Sequence, residues 1–190
     1  MKILAVTTYN NKLYKEYAHR FEGKDFVKDY WQDGVRFCYK VYAYTHAIMK
    51  YQDLDGIIGI DADSVFYKKI DADWIKKHIH RDNCMMTYLG RPNYSECGFL
   101  YFNMKHPDIQ SYANRMKSLY DTDGIYNLKE QHDSFIWDYV RKEFENRGTE
   151  NYNIGDGKLG HVQARSILGT VYDHTKGERK IKGRSKEFRG

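Results

Sequence analysis

The stretch GIIGIDADS, residues 56–64, joins an apolar run to two carboxylates. Residues 56–60 are short, apolar and bounded by aspartates, which is the pattern of a buried strand. Asp61 and Asp63 follow directly, so we expect both at the carboxyl edge of a sheet, where open α/β folds bind ligands. Two carboxylates that close repel each other unless a cation lies between them. The stretch therefore predicts a site for a hard divalent cation, Mn²⁺ or Mg²⁺.

A second Asp-Ala-Asp sequence lies at residues 71–73, in a different context. It is followed by a predicted short helix, residues 72–79, and no apolar strand precedes it. Aspartates at the start of a helix accept hydrogen bonds from its first backbone N–H groups. We therefore predict helix capping for this second copy.

Strand and helix patterns alternate on both sides of these stretches. The predicted strands cover residues 2–7, 56–60, 84–88, 97–104 and 166–172. The predicted helices cover residues 35–49, 72–79, 107–119 and 130–144. Residues 146–160 are rich in Gly and Asn, which predicts a loop. Apolar strands that alternate with helices indicate an α/β sandwich around a mostly parallel sheet. At 190 residues the chain fits a single domain.

The basic charge is concentrated at the end of the chain. The formal net charge is +5, and residues 176–190 contain seven basic and two acidic residues, so residues 1–175 are neutral overall. We therefore divide the chain into a main domain, residues 1–175, and a basic tail, residues 176–190. Such a tail could track a nucleic-acid backbone, which keeps a nucleic-acid-binding module open as an alternative function.

The sequence also bears on location. No apolar run reaches the 18 residues or so that a membrane-spanning helix needs. The apolar start of the chain is too short for a signal peptide. Cys38, Cys84 and Cys97 form no CxxC pair, and an odd number of buried cysteines suits a reducing compartment. These features predict a cytoplasmic protein without a membrane span.

Two chemistries fit two aspartates after a strand. In a phosphatase of the haloacid-dehalogenase type, the first aspartate is a nucleophile. In a nucleotide-sugar glycosyltransferase, both aspartates hold a metal ion on the donor diphosphate. The stretch alone leaves this choice open.

Residues 174–180 form an HxxGxxK pattern that favours the second chemistry. The neutral imidazole of His174 is a good Mn²⁺ ligand. Gly177 allows the backbone to approach a phosphate closely, and Lys180 offers a positive charge to diphosphate oxygens.

With this pattern the chain resembles the GT-A-fold glycosyltransferases, and is most similar to the retaining family 8, which includes glycogenin. Residues 51–66 resemble the segment that leads into the family's DxD motif. Residues 96–103 (ECGFLYFN) resemble its NSGVLLFN-like strand, and residues 130–136 (EQHDSFI) resemble its DQDxLN-like segment. Glu96 stands where the family usually has Asn. The resemblance implies a Rossmann-like sandwich that transfers a hexosyl or pentosyl group.

The resemblance also assigns roles to individual residues. It implies that Asp61, Asp63 and His174 bind Mn²⁺ or Mg²⁺, and that Asp133 or Gln131 lies beside the donor sugar. We favour Asp133, because a carboxylate can stabilise an oxocarbenium-like charge. The other residues expected at the nucleotide-sugar donor are Thr7, Thr8, Tyr9, Lys40, Asp61, Ala62, Gly98, Gly177 and Lys180.

The function expected from the sequence is thus metal-dependent transfer of a sugar from a nucleotide donor, and the resemblance implies a UDP-linked donor and retention of configuration. The small size resembles stand-alone sugar transferases of viruses, which would act in the host cytoplasm. The basic tail suggests DNA carrying a hydroxymethylated base as a possible acceptor. The phosphatase and the nucleic-acid-binding module remain the alternatives.

Overall fold

A five-stranded sheet forms the centre of the computed structural model, which describes residues 1–7 and 29–175. The strands are β1 (Ile3–Thr7), β2 (Gly56–Ile60), β3 (Ser64–Phe66), β4 (Cys84–Leu89), β5 (Glu96–Asn103), β6 (Glu150–Asn153) and β7 (Tyr172–His174). The described α-helices are α1 (Gly34–Lys50), α2 (Ala72–His78), α3 (Ile109–Asp121), α4 (Asp133–Glu145) and α5 (Val162–Arg165). The predictions for Thr8, Tyr9, Gly177, Lys180 and the rest of the basic tail lie outside the described residues.

The central sheet has the strand order β1-β2-β5-β4-β6. β1 is parallel to β2, and β6 is parallel to β4, whereas β5 is antiparallel to both of its neighbours. Four of the five strands in this part of the chain therefore run in one direction. This confirms the predicted single-domain α/β fold with a mostly parallel sheet, although the most buried strand, β5, is the reversed one.

The two faces of the sheet are covered by different elements. Helices α1, α3 and α4 supply most of the larger apolar core, which includes Trp137 and Phe102. The second core, on the other side, is built around Ile75 of α2, Val162 of α5 and Tyr172 of β7. Burial of both faces explains why all eight residues of β5 are buried. The result is the three-layered sandwich expected when helices cover both faces of a sheet.

A short ribbon lies beside the carboxyl end of β2. β3 pairs with β7 in an antiparallel two-stranded sheet, with Ser64 opposite His174. Thr175 extends this pairing, because its backbone N–H and its hydroxyl both donate to the carbonyl of Asp63, at 3.1 and 3.0 Å. The ribbon thus brings residues more than a hundred positions apart in the chain to one edge of the sheet.

Two predicted segments were wrong. The loop predicted for residues 146–160 contains the edge strand β6, whose polar sequence ENYN lacks the apolar pattern of a buried strand. Asn151 of this strand accepts a hydrogen bond from Met86 N. The strand predicted for residues 166–172 is mostly a tight 3₁₀ turn, and the strand begins only at Tyr172. Ser166 Oγ caps that turn by accepting from Leu168 N.

The three cysteines are buried, as predicted, and all three are free thiols. In the described part of the chain, every helix is too short or too polar to cross a bilayer.

Candidate metal and donor site

Asp61, Asp63 and His174 converge at the carboxyl edge of β2. One ligand atom from each residue lies within 4.8 Å of the other two. The aspartates are placed by the turn after β2, in which Ser64 N donates to the carbonyl of Asp61 at 3.1 Å. His174 is placed by β7, the last strand of the ribbon. The three predicted metal ligands are therefore brought together by two separate elements of the fold.

The His174 ring is held from both of its nitrogen atoms. Nε2 lies 2.7 Å from Asp63 Oδ1 and 3.5 Å from Asp61 Oδ2. Nδ1 lies 2.7 Å from Gln163 Oε1, and Gln163 Nε2 donates to the Tyr172 hydroxyl at 3.0 Å. A partner on the far nitrogen orients an imidazole for metal binding. Gln163 is positioned for that role here, and the sequence analysis did not find it.

Gly98 leaves the space that the His174 ring occupies. A Cβ at this position would lie 2.6 Å from His174 Nδ1 and 2.8 Å from Gln163 Nε2. Contacts this short require the ring or the amide to move. Gly98 was predicted to lie at the donor, and in the structure it lies against the metal ligand and its supporting amide.

The donor set fits a divalent cation. Two carboxylates and one imidazole are oxygen and nitrogen ligands of the kind that Mn²⁺ accepts, and Mg²⁺ accepts the oxygens. His174 is almost wholly buried, whereas both aspartates are partly exposed, so the cluster is open to a ligand on the aspartate side. These three residues could hold such an ion at the edge of the sheet.

Lys40 links the candidate metal site to a third aspartate, Asp133. Its ammonium lies 2.6 Å from Asp61 Oδ1 and 2.7 Å from Asp133 Oδ2, and it donates to the Cys97 carbonyl at 3.1 Å. Burial lowers the pKa of Lys40, but the charges of Asp133 and Asp61 outweigh burial and hold that pKa well above its ordinary value. Lys40 therefore carries its charge at neutral pH. The sequence analysis expected Lys40 at phosphates, whereas in the structure it is buried between two carboxylates.

Asp133 begins helix α4 and is buried. Its Oδ1 accepts from Ser134 N at 2.8 Å, while its other oxygen faces Lys40. Asp133 is thus a buried carboxylate that is connected to the candidate metal site through its contact with Lys40.

Gln131, the alternative to Asp133, points elsewhere. Its amide donates to the carbonyls of Leu128 and Ile125, at 2.9 and 3.4 Å. The amide therefore stabilises the turn before α4. None of its described contacts is with the candidate metal site.

A cavity of about 240 Å³ adjoins the two aspartates. Thr7, at the end of β1, lines it together with Asp61, Ala62 and Ser64. Ser64 Oγ is buried and has no hydrogen-bond partner among the described residues, which leaves it available to a ligand. The cavity places the predicted residues Thr7 and Ala62 beside the candidate metal site.

Glu96, which departs from the family pattern, has two partners inside the protein. One of its carboxylate oxygens accepts from Gly98 N at 3.1 Å, and the other lies 3.1 Å from Arg91. Glu96 thus anchors the start of β5 next to Gly98.

Comparisons with known proteins identify the type of fold. No protein-family model matches the sequence, and no curated protein is significantly similar to it. Several solved structures do match, among them the crystal structure of a glycosyltransferase involved in the glycosylation of the major capsid of PBCV-1. That match has a TM-score of 0.51 and 12% identity, and it covers 94% of this chain and 96% of the other. The part of the chain that the structure describes therefore has a Rossmann-like glycosyltransferase fold.

Proposed function

We propose that this protein is a metal-dependent glycosyltransferase that uses a nucleotide-diphosphate sugar. The convergence of Asp61, Asp63 and His174 at the edge of a glycosyltransferase fold carries the proposal. A UDP-linked donor, a GT-A architecture and retention of configuration follow from the resemblance to family 8. They are parts of the proposal that the experiments below test.

In this proposal Asp61, Asp63 and His174 hold Mn²⁺ or Mg²⁺. The ion, when bound, supplies positive charge to the leaving diphosphate. The cavity beside Thr7 receives the nucleotide, and the unpartnered Ser64 hydroxyl offers it a hydrogen bond. Gly177 and Lys180, together with Thr8 and Tyr9, are proposed to complete this donor site.

Asp133 is proposed to lie beside the donor sugar. Its carboxylate would stabilise positive charge that builds on the anomeric carbon as the diphosphate leaves. The buried pair with Lys40, at 2.7 Å, fixes the position of that carboxylate. Because Lys40 also binds Asp61, one side chain would set the spacing between the sugar and the metal ion.

The expectation of a DNA acceptor depended on residues 182–190, which lie outside the described residues, so DNA is not part of this proposal. The same holds for the nucleic-acid-binding alternative. We keep a viral origin and a cytoplasmic location as hypotheses.

Calorimetry with UDP, GDP and CDP, each with Mn²⁺, Mg²⁺ or EDTA, tests the donor site. We expect one diphosphate, UDP, to bind with Mn²⁺ and to lose its affinity in EDTA. ¹H NMR of UDP-sugar hydrolysis then identifies the donor, and the anomeric signal of the first-formed product reports retention or inversion. Binding that is unaffected by EDTA would contradict a metal site, and no binding of any nucleotide would overturn the proposal.

The phosphatase alternative predicts a different outcome. A phosphatase would form an adduct at Asp61 with beryllofluoride and release phosphate from phosphomonoesters. A glycosyltransferase would do neither, and it would release a nucleoside diphosphate instead.

A further inference from the structure

An aromatic cluster surrounds His132 at the start of helix α4. The ring centroids of Trp31 and Tyr94 each lie 4.8 Å from His132, in edge-on geometry, and Tyr30 stacks on it at 6.0 Å. His132 itself is buried, yet Tyr30 and Trp31 are each 47% exposed. We call Tyr30, Trp31 and Tyr94 the aromatic platform. It presents two large rings to solvent next to Asp133.

The platform is held in place by hydrogen bonds. Gln131 N donates to the Trp31 carbonyl at 2.8 Å, and this hydrogen bond connects the 3₁₀ turn that contains Tyr30 and Trp31 to the segment before α4. Glu130 accepts from the Tyr94 hydroxyl at 2.7 Å, and its other oxygen lies 2.8 Å from His132 Nε2. Rings held in this way lose little conformational entropy when a ligand binds.

The platform is continuous with the proposed sugar-transfer site. Asp133 follows His132 directly in the chain. Burial, together with the charges of Asp133 and Glu96 and against the opposing charge of Lys40, raises the pKa of Tyr30 to about 12. The Tyr30 phenol therefore lies within reach of the charges of Asp133, Lys40 and Glu96. A ligand on the platform would extend toward the carboxylate that we place beside the donor sugar.

We propose that the aromatic platform binds a sugar ring of the acceptor, so that the acceptor is a carbohydrate. This inference rests on the proposed function. Flat exposed rings with polar tips suit the apolar C–H face of a pyranose, and the neighbouring carboxylates suit its hydroxyl groups. A nucleic acid could stack on the same rings, but the nearby cations Lys129, Arg91 and Lys40 are each paired with a carboxylate, Glu130, Glu96 or Asp133, so they offer its phosphates little attraction. A sugar has no such charge to place there.

Saturation-transfer NMR tests the inference, with methyl glycosides of common hexoses, deoxyhexoses and pentoses as probes. We expect at least one glycoside to receive saturation on one ring face when aromatic protons are irradiated. Trp31→Ala should weaken that binding about tenfold or more, because ring stacking is lost. Trp31→Phe should retain most of it. Trp74→Ala is the matched control, since Trp74 lies on α2 and packs on the second core.

Donor measurements separate this inference from the proposed function. In Trp31→Ala, UDP affinity and donor hydrolysis without acceptor should equal those of the wild type, while stimulation of turnover by the bound glycoside is lost. The inference is overturned if no glycoside binds the wild type, if Trp31→Ala binds as well as Trp74→Ala, or if single-stranded DNA binds the platform in competition with glycosides. A wild type that binds glycosides but no nucleotide would instead overturn the proposed function.

Discussion

The two Asp-Ala-Asp sequences of this protein are identical in composition and lie ten residues apart, yet they have different structural roles. Asp71 caps helix α2 by accepting from Trp74 N at 2.9 Å, and Asp73 lies in the first turn of that helix. Asp61 and Asp63 instead follow a buried strand and face His174. The local sequence of three residues therefore does not decide whether two carboxylates bind a metal or cap a helix.

The partners of the two copies explain the difference. Asp71 has backbone N–H groups as its partners, which any helix N-terminus provides. Asp61 and Asp63 have an imidazole and a buried ammonium, which only the ribbon and helix α1 can bring to that edge. A metal site thus needs the tertiary structure, whereas a cap needs only the next four residues.

The largest expected difference between the copies is in activity. Asp63→Ala should lower donor turnover and Mn²⁺ affinity by roughly 100- to 1,000-fold, because a catalytic metal contributes several kcal/mol of charge stabilisation. Asp73→Ala makes the same change in the capping copy and should leave both values close to those of the wild type. Titration calorimetry with Mn²⁺ and a coupled UDP-release assay would measure the two effects. Equal losses of turnover and Mn²⁺ affinity in the two variants would contradict the different roles that we assign to the two Asp-Ala-Asp sequences.

The buried partner of Asp61 provides the second test. Lys40→Met leaves Asp61 and Asp133 without their shared cation, and breaking a buried ion pair costs roughly 3–5 kcal/mol of unfolding free energy. Lys76→Met removes an exposed lysine from the helix that the other copy caps, and we expect it to change stability by less than about 0.5 kcal/mol. Urea denaturation at pH 7 would compare them. A similar small effect for both would show that Lys40 is not paired as described.

The same pair of variants has a defined pH dependence. The pKa of Lys40 is higher in the folded protein than in the unfolded chain, so its stabilisation is complete below the ordinary lysine value of about 10.4 and is lost as the pH rises toward the folded value. The gap in unfolding free energy between wild type and Lys40→Met should be constant from pH 7 to about pH 10 and narrow above it. A gap that already narrows between pH 6 and 8 would contradict this assignment.

A smaller effect is expected from crowding the metal ligand. Gly98→Ala should weaken Mn²⁺ binding by about 10- to 100-fold, the usual effect of disturbing a residue that orients a ligand, because the new Cβ meets His174 and Gln163. Gly124→Ala is a suitable control, because the nearest described atom to its new Cβ would lie 3.4 Å away. Mn²⁺ titration of the folded variants measures both. Unchanged affinity in Gly98→Ala would mean that His174 has more freedom than its contacts indicate.

The smallest effect belongs to the capping copy. Asp71→Ala should lower the free energy of unfolding by about 1 kcal/mol through loss of the cap on Trp74 N, with no change in Mn²⁺ affinity. Asp71→Asn keeps an accepting oxygen and should recover most of the stability. Thermal denaturation with and without Mn²⁺ would show whether the loss is independent of the metal.

Much of the frame was predictable from local patterns. The short apolar run at residues 56–60 identifies β2, and the helical spacing of residues 35–49 identifies α1. The DxD and HxxGxxK patterns indicated Asp61, Asp63 and His174 as candidate ligands. The edge strand β6 was missed because its residues are polar. The reversal of β5 was missed because an apolar strand has the same composition in either direction.

The supporting residues of the site were harder to predict. Gln163 lies in a short helix without a motif, and its role depends on contact with His174. Lys40 was placed correctly on a helix, but a helical pattern does not reveal that its ammonium reaches both Asp61 and Asp133. The aromatic platform joins Tyr30 and Trp31 to Tyr94 and His132, which are distant in the chain, so composition alone could only indicate that the chain is rich in tyrosine.

The sequence by itself determined most of the helices and the apolar strands, because the spacing of apolar residues and the hydrogen bonds of a helix involve residues close together in the chain. It also determined which side chains are able to bind a metal ion. The tertiary structure decided which of two identical acidic sequences meets a histidine, since pairing of β3 with β7 brings Asp63 and His174 together across 111 positions of the chain. It also decided that Lys40 is shared by two carboxylates, because only packing of α1 against both the sheet and α4 places that cation within 2.7 Å of both.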